Sequence, residues 1–221
     1  PHPTVKMSHE GKQFKPKDAI DLIQAARKGA TLILENIDRY DLVLGDFLNQ
    51  LSEEMNEQTR FNLYLSHPDN QGYNIHYDTH DFLILQIEGY KEWWIFPETI
   101  PSVLFKQKTH GTKPPPKESL YLNCTLGPGD VLYVPRGHWH YALARKESSV
   151  HLTLAMFVKT GIDFMQWLAD ELTDYKEFRS AFPLRLENNC SSAQDGTTEH
   201  LNTLKAKLVE ILDCPDLYER F

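Results

Sequence analysis

The sequence is poor in cysteine. It has three, Cys124, Cys190 and Cys214, and they stand far apart with no Cys-x-x-Cys pair. An odd, widely spaced set forms neither a disulfide framework nor a zinc motif. This pattern predicts a protein of a reducing compartment, and we expect the cytoplasm.

The sequence also lacks long apolar runs. The opening residues, PHPTVKMSHEGK, are polar and have no apolar core of the kind found in a signal peptide. The longest apolar stretches elsewhere are too short to cross a bilayer, so no membrane association is expected. Because the chain starts at Pro1 without an initiator methionine, we expect a processed or truncated protein.

An excess of positive charge is absent as well. The chain has 31 acidic and 23 basic residues, for a net charge of −8. This balance argues against a broad nucleic-acid-binding face, and no direct nucleic-acid binding is expected. It leaves a basic protein or peptide open as a substrate.

The hydrophobic pattern predicts a strand-rich middle with helices at both ends of a 221-residue chain. Helical spacing predicts helices over 18–28, 41–57, 162–178 and 197–213. Short strands are predicted from 31–37 onward, in RFNLYLS, YNIHYD, FLILQI, KEWWIF, SLYLNCT, VLYVP, HYALA and SVHLTLAMF. Short strands separated by glycine and proline favour a barrel or a sandwich, so the predicted fold class is mainly β with flanking helices.

Two segments are predicted as loops. ENNCSSAQDGTTE, before the last helix, is polar and is expected to link the two C-terminal helices. KQKTHGTKPPPKE, residues 106–118, is basic and rich in proline. It is expected either to be a plain surface loop or to be a flap that touches substrate.

Alternation places polar side chains on one face of three predicted strands, because residues two apart in a strand share a face. The polar sets are Asn62 and Tyr64, then Asn74, His76 and Asp78, then His151 and Thr153. None of these positions is Lys or Glu, which strands that face solvent usually carry. We therefore expect a barrel whose interior is a polar site.

Two crowded stretches could supply metal ligands. Residues 76–81 hold His76, Asp78, His80 and Asp81, and PRGHWH at 135–140 holds two more histidines. From Gly129 the second stretch reads Gly, five residues, Pro, one residue, Gly, two residues, His. This spacing resembles the second motif of the cupin barrels, and the resemblance selects His140 over His138. The asparagine usual four places later is Ala144 here.

The block from 60 to 157 resembles more narrowly the JmjC-type ribosomal oxygenase family, cupin-like hydroxylases that depend on Fe(II) and 2-oxoglutarate. The matching pieces are FNLYL, the HYD of 76–78, FLILQIEGYKEWWIF, LGPGDVLYVPRGHWH and SVHLTLAM. The resemblance implies a double-stranded β-helix, the cupin or JmjC jelly-roll barrel. It divides the chain into a barrel with N-terminal helices over 1–160 and a C-terminal helical dimerisation segment over 161–221.

The resemblance also implies a set of site residues. His76, Asp78 and His140 would be the catalytic metal ligands, a facial triad that leaves positions open for 2-oxoglutarate and O₂. Lys91, fifteen residues after His76, would bind the distal carboxylate of 2-oxoglutarate. Further residues expected around the cosubstrate are Tyr64, Thr153, Asn62 and His151. His80 is expected at the barrel rim, and Asp81 is expected to cap a turn.

The implied activity is hydroxylation of a protein side chain, Arg or His of a ribosomal protein. Alternatives remain open: lysine demethylation, a small-molecule or peptide hydroxylase of the same mechanism, a cupin metalloenzyme that does not use 2-oxoglutarate, and a non-catalytic binding module. Lys91 argues against the cupin metalloenzyme, because only a cosubstrate with a distal carboxylate requires it, and the intact set of His76, Asp78 and His140 argues against the binding module.

Apolar stripes on both C-terminal helices predict a homodimer. The first carries Phe164, Trp167, Leu168 and Leu172, and the second carries Leu201, Leu204, Leu208 and Leu212. Helices packed around a two-fold axis would cover both stripes, and the family resemblance points the same way. The alternative is that both helices fold back on the barrel of the same chain.

Overall fold

The structure is a computed structural model that describes residues 4–107, 112–183 and 190–221, without the side chains of 190–195. Part of the basic loop predicted at 106–118 lies outside these residues. The strands are β1 Thr4–His9, β2 Lys12–Phe14, β3 Thr31–Glu35, β4 Gln58–Ser66, β5 Asp81–Glu98, β6 Leu122–Leu126, β7 Val131–Val134 and β8 His138–Phe157. The helices are α1 Ala19–Arg27, α2 Leu42–Met55, α3 Gly161–Glu171, α4 Lys176–Arg179, α5 Cys190–Leu212 and α6 Leu217–Arg220.

The chain divides into two compact units, Pro1–Val158 and Lys159–Phe221. In the first unit, eight strands form one antiparallel sheet in the order β2-β1-β3-β4-β8-β5-β6, with β7 paired to β5. Among the described residues this order is an open path, without a pairing that closes the barrel. The predicted fold class, mainly β with a jelly-roll core and flanking helices, is confirmed.

Strands β5 and β8 pair from Asp81–Met156 to Glu98–His138, interrupted where residues 146–149 of β8 have no partner on β5, and such an interruption bends the pair. The register of the pair shifts on both sides of Glu88, beside Gly89. Gly89 has φ +67°, and a Cβ there would lie 2.1 Å from the carbonyl oxygen of Ser148. Only glycine fits this close approach without strain. The bend lets the first half of β5 pair with β7 and its second half with β6.

Helix α2 covers one face of the sheet. Its N-terminus is capped by Asp41, whose side chain accepts a hydrogen bond from the backbone N–H of Leu44. Its Leu48 packs in a buried cluster with Phe61 of β4 and with Leu152, Leu154 and Met156 of β8. These are the apolar faces of β4 and β8, so the polar residues between them point to the opposite face of the sheet.

The second unit is a helical cluster with its own core. A capping box between Thr160 and Asp163 starts α3. Leu168, Ile211 and Leu217 are buried together, and the side chains packed around them include Phe164, Trp167, Leu172, Leu208 and Leu212. Much of the apolar surface that predicted a dimer is therefore buried inside this unit. Ile162, Met165 and Leu201 remain exposed.

Three local predictions were wrong, and one hairpin was not predicted. Residues 73–78 do not form a strand, because only His76 finds a bridging partner. The predicted loop before the last helix is helical from Cys190, since α5 is anchored by its packed C-terminal turns and extends back through polar residues. The helix predicted over 162–178 is interrupted at Tyr175, which is extended. Residues 4–14, for which no strand was predicted, form the hairpin β1–β2.

No helix within the described part of the chain is long and apolar enough to cross a membrane.

Candidate metal and cosubstrate site

The backbone brings the two histidine-containing stretches together. His76 and His140 exchange backbone hydrogen bonds, with N–O distances of 3.1 and 2.6 Å. The N–H of Gly137 donates to the carbonyl oxygen of Asp78 at 2.9 Å. Residues 76–78 therefore lie against the start of β8 although they belong to no strand.

The side chains of His76, Asp78 and His140 converge on one point. One ligand atom from each lies within 4.8 Å of the other two. Nε2 of His140 is 3.7 Å from a carboxylate oxygen of Asp78, and the two imidazole rings are 4.4 Å apart between centroids. Two imidazole nitrogens and one carboxylate oxygen in this arrangement suit a non-haem divalent iron site.

Hydrogen bonds fix the tautomer of both histidines. Nδ1 of His76 lies 2.8 Å from the carbonyl oxygen of Asn74, and Nδ1 of His140 lies 3.0 Å from that of His138. A carbonyl oxygen can only accept, so each Nδ1 carries the proton. The lone pair of each neutral ring is then on Nε2, the atom available to a metal.

The protonation states also suit a cation. Burial, together with the charge of His76, lowers the pKa of His140 to about 4. Burial raises the pKa of Asp78, but the nearby His76 and His140 outweigh it and the net shift is downward. Near neutral pH the site therefore presents a neutral imidazole at His140 and an ionised carboxylate at Asp78, as a metal ion requires.

Lys91 is a buried basic residue. Its side chain is 6% exposed, and Nζ donates a hydrogen bond to Oγ of Ser66 at 2.8 Å. Among the described residues no carboxylate lies within salt-bridge distance of it. Burial lowers the pKa of Lys91 to about 7. An unpaired buried ammonium is costly, so this pocket favours an anionic ligand.

Trp93 connects Lys91 with the histidine cluster. Nζ of Lys91 is 5.8 Å from the centroid of the Trp93 ring, and the His140 ring is 6.2 Å from it. Both Lys91 and Trp93 are buried, and they lie on the same face of β5. The cation and the metal-ligand cluster thus lie near the same indole.

The remaining predicted site residues lie on the polar face of β4 and β8. Tyr64 is paired with His151 across the two strands, and their rings stack at 4.9 Å. Asn62 is paired with Thr153, and both are buried. Burial, with the charge of Lys91, holds the pKa of His151 well below its usual value, and burial raises the pKa of Tyr64. A neutral imidazole and a protonated phenol therefore face the pocket.

The other histidines and Asp81 lie outside the cluster. His80 packs its ring 5.0 Å from Phe157. His138 begins β8 and contributes its carbonyl oxygen to His140 rather than its ring to the cluster. The carboxylate of Asp81 accepts hydrogen bonds from the N–H of Arg136 and the hydroxyl of Tyr133.

Two residues of the polar face of β4 were missed from the sequence. Ser66 bonds Lys91, and Arg60 lies at the other end of the same strand. Both lie two residues beyond Asn62 or Tyr64 and therefore share their face of the strand. Continuing the alternating pattern by one position at each end would have found them.

A bent antiparallel jelly roll with a two-histidine, one-aspartate cluster inside it defines a cupin-type metal-binding protein. The JmjC domain family model matches residues 43–164, and the chain belongs to that family. The predicted resemblance is confirmed.

Curated relatives agree with this family. Human "Ribosomal oxygenase 1" is 31% identical over 183 residues, which cover 76% of this chain and 27% of that protein. The Drosophila persimilis "Bifunctional lysine-specific demethylase and histidyl-hydroxylase NO66" is 31% identical over 132 residues, 59% of this chain and 19% of that protein. The chain thus spans about a fifth to a quarter of the length of these relatives.

A solved structure supports the fold. The Escherichia coli ribosomal oxygenase YcfD, in complex with cobalt and 2-oxoglutarate, aligns with a TM-score of 0.61 and 14% identity. The alignment covers 97% of this chain and 56% of that one. At this identity the likeness is evidence for the fold alone.

Proposed function

We propose that this chain is an Fe(II)- and 2-oxoglutarate-dependent oxygenase that hydroxylates an arginine or histidine side chain of a ribosomal protein. The observation that carries the proposal is the pairing of two features. A cluster of two imidazoles and a carboxylate lies near the indole of Trp93, and so does a buried lysine that has no acidic partner among the described residues.

The residues present fit the metal. His76, Asp78 and His140 would hold Fe(II) through Nε2, a carboxylate oxygen and Nε2, since both Nδ1 atoms already donate to backbone carbonyls. With its cosubstrates bound, the iron would supply an oxidation in which 2-oxoglutarate and O₂ yield succinate, CO₂ and a hydroxylated C–H bond.

The cosubstrate contacts follow from the buried polar face. Lys91, with its Ser66 hydrogen bond, would bind the distal carboxylate of 2-oxoglutarate by a charge-assisted hydrogen bond, worth about 1.5–3 kcal/mol. The hydroxyls of Tyr64 and Thr153 would donate further hydrogen bonds. Asn62 and His151 would support them, as His151 does by stacking on Tyr64. These interactions orient the cosubstrate, while the apolar residues around Phe82 and Ile84 exclude water.

The substrate class is inferred from the relatives. Those named ribosomal oxygenase or histidyl-hydroxylase support a ribosomal protein as the acceptor. The net charge of −8 suits a basic polypeptide, because opposite charges attract the two proteins at a distance.

We also propose a cytoplasmic homodimer. The exposed Ile162, Met165 and Leu201 of the helical unit support an interface there. The scattered cysteines support a reducing compartment.

Mass spectrometry of ribosomal proteins tests the proposal. Proteins from cells that contain or lack this enzyme are digested and compared for a gain of about 16 Da, the mass of one oxygen atom, on an Arg or His residue. A site modified only in the presence of the enzyme, and lost with Asp78→Ala, supports the proposal. Identical modification in both samples contradicts the substrate assignment.

A further inference from the structure

A second polar cavity lies in the barrel unit, away from Lys91. Its volume is about 430 Å³. Its lining consists of Asn36, Asp38, Arg39, Gln58, Thr59, Arg60, Phe105 and Phe157. Two of these residues are cationic and one is acidic, so the lining has a positive balance in a protein of net charge −8.

Strand β4 connects this cavity with the cosubstrate pocket. Arg60, Asn62, Tyr64 and Ser66 follow one another at two-residue spacing, and Ser66 bonds Lys91. At about 3.3 Å per residue, Arg60 lies about 20 Å along the strand from Ser66. The cavity is therefore at the end of the polar face opposite to the proposed site of the distal carboxylate.

The cavity is also close to the metal ligands. Phe157, in its lining, packs 5.0 Å from the ring of His80, two residues after Asp78. The guanidinium carbon of Arg60 lies over the same Phe157 ring, so Phe157 contacts both Arg60 and His80. An acceptor that reaches the metal from this end of the face would pass the cavity.

The side chain of Arg60 contacts an aromatic ring but is paired with no carboxylate among the described residues. Its guanidinium carbon lies 4.6 Å from the centroid of the Phe157 ring. Its Nε is buried without a hydrogen-bond acceptor, and among the described residues no carboxylate lies within salt-bridge distance of Arg60 or Arg39. Opposite Arg60 on β8 stands Ala155, which has no polar side-chain atom to pair with the guanidinium.

Asp38, the acidic residue of the lining, already accepts a backbone hydrogen bond. Oδ1 of Asp38 accepts a hydrogen bond from the backbone N–H of Phe61 at 2.8 Å. The cavity therefore offers guanidinium donors in a planar fork, beside an aromatic wall formed by Phe105 and Phe157. This combination matches a carboxylate, which a guanidinium can bind through two parallel hydrogen bonds.

We propose that this cavity binds a carboxylate group of the acceptor substrate through Arg60 and Arg39. The inference rests on the proposed function, because it takes the histidine and aspartate cluster as the place where the acceptor reacts. In a polypeptide acceptor the carboxylate belongs to an Asp or Glu near the modified residue. An acidic residue beside the target thus becomes a specificity determinant for an enzyme that otherwise favours basic proteins.

Peptide binding to the full chain tests the inference. The protein is loaded with Mn(II) and 2-oxoglutarate without oxygen, and labelled heptapeptides with a central histidine are titrated by fluorescence anisotropy. Each flanking position carries Glu, Gln or Lys in turn. We expect Glu to bind about tenfold more tightly than Gln at one position, the size of one charge-assisted hydrogen bond.

Variants assign the effect to the cavity. Arg60→Gln should abolish the preference for Glu, and Arg60→Lys should keep part of it. Arg39→Gln should weaken the preference for Glu. Because Arg39 is exposed, this variant should fold, and it replaces Arg60→Gln in the test if that variant does not fold. Arg27→Gln, an exposed arginine on α1 and outside the cavity lining, is the matched control and should bind as the wild type does.

Competition with N-acetylglutamate distinguishes the two sources of a carboxylate. Displacement of the Glu peptide at a similar concentration means that the cavity takes a free small acid, and failure to displace means that it reads a polypeptide side chain. Equal binding of the Glu, Gln and Lys peptides at every position overturns the inference, as does a preference for Glu that survives both arginine variants. Succinate formation by the wild type is measured separately, so failure of the proposed function is recognised on its own.

Discussion

Nζ of Lys91 donates a hydrogen bond to the hydroxyl oxygen of Ser66, and both side chains are buried in a protein interior that offers Lys91 no acid among the described residues. A serine can orient an ammonium but cannot neutralise it. The pair therefore has the character of a binding site for an anion rather than of a structural ion pair.

Replacing Lys91 should separate cosubstrate binding from metal binding. Lys91→Ala should weaken 2-oxoglutarate binding by about tenfold to a hundredfold, because a charge-assisted hydrogen bond is lost. Metal affinity should stay nearly unchanged, since Lys91 is not among the clustered ligands. Calorimetric titration of both ligands measures this. Lys12→Ala, at an exposed lysine of β2, is the control. Equal 2-oxoglutarate affinities in Lys91→Ala and wild type would mean that the carboxylate is held elsewhere.

The same lysine should reduce the stability of the cosubstrate-free protein. Its pKa is lowered from 10.5 to about 7 on folding, so between these values the unfolded chain binds more protons and stability rises with pH. Below about pH 7 the full cost of the buried charge is present. Lys91→Met should therefore raise Tm at pH 6, by about 2–4 °C for each kcal/mol gained.

The gain in Tm should shrink as the pH rises towards 9, and calorimetric scans across that range measure it. A gain independent of pH would show that Lys91 carries no buried charge.

Gly89 should be essential to the bend of β5. Gly89→Ala should destabilise the fold by about 2 kcal/mol or more, because a Cβ would meet the Ser148 carbonyl and the residue would be strained at positive φ. Gly129→Ala is a matched control: its φ is +92°, but nothing lies within 4 Å of the added Cβ. Urea unfolding should give the larger loss at Gly89. Equal losses of stability in the two variants would mean that backbone strain at positive φ, and not contact with Ser148, causes the destabilisation.

The dimer can be tested by light scattering. The full chain should be a dimer at micromolar concentration, and a chain cut after residue 160 should be a monomer, because the exposed apolar side chains of α3 and α5 are removed. A monomeric full chain would refute the dimer. A dimeric cut chain would move the interface to the barrel unit.

Short-range patterns predicted much of the site. Period-two alternation placed Asn62, Tyr64, His151 and Thr153 on one polar face, and the structure pairs them across β4 and β8. The resemblance of the 129–140 stretch to the second cupin motif selected His140 over His138, and His140 is the one that belongs to the cluster. These features depend on neighbours along the chain, which a single sequence displays.

The remainder depends on contacts distant in sequence. FLILQI and KEWWIF were predicted as separate strands, yet β5 continues through Gly89 because residues on both sides of it pair with β8. Residues 76–78 are placed by backbone bonds to 137–140 rather than by a strand of their own. The contact of Ser66 with Lys91 joins residues 25 apart. No local pattern reports such pairings, since they are fixed by the folded sheet.

Succinate formation from 2-oxoglutarate by the purified full chain, with Fe(II) and O₂ supplied, is the most direct test of the central claim. The wild type should form succinate only when Fe(II) is present, and His140→Ala should abolish it, because Nε2 of His140 is one of the clustered ligand atoms. His138→Ala and His80→Ala should retain most of it, since neither ring belongs to the cluster. Succinate formation that survives His140→Ala, or is lost in His138→Ala alone, would contradict the account.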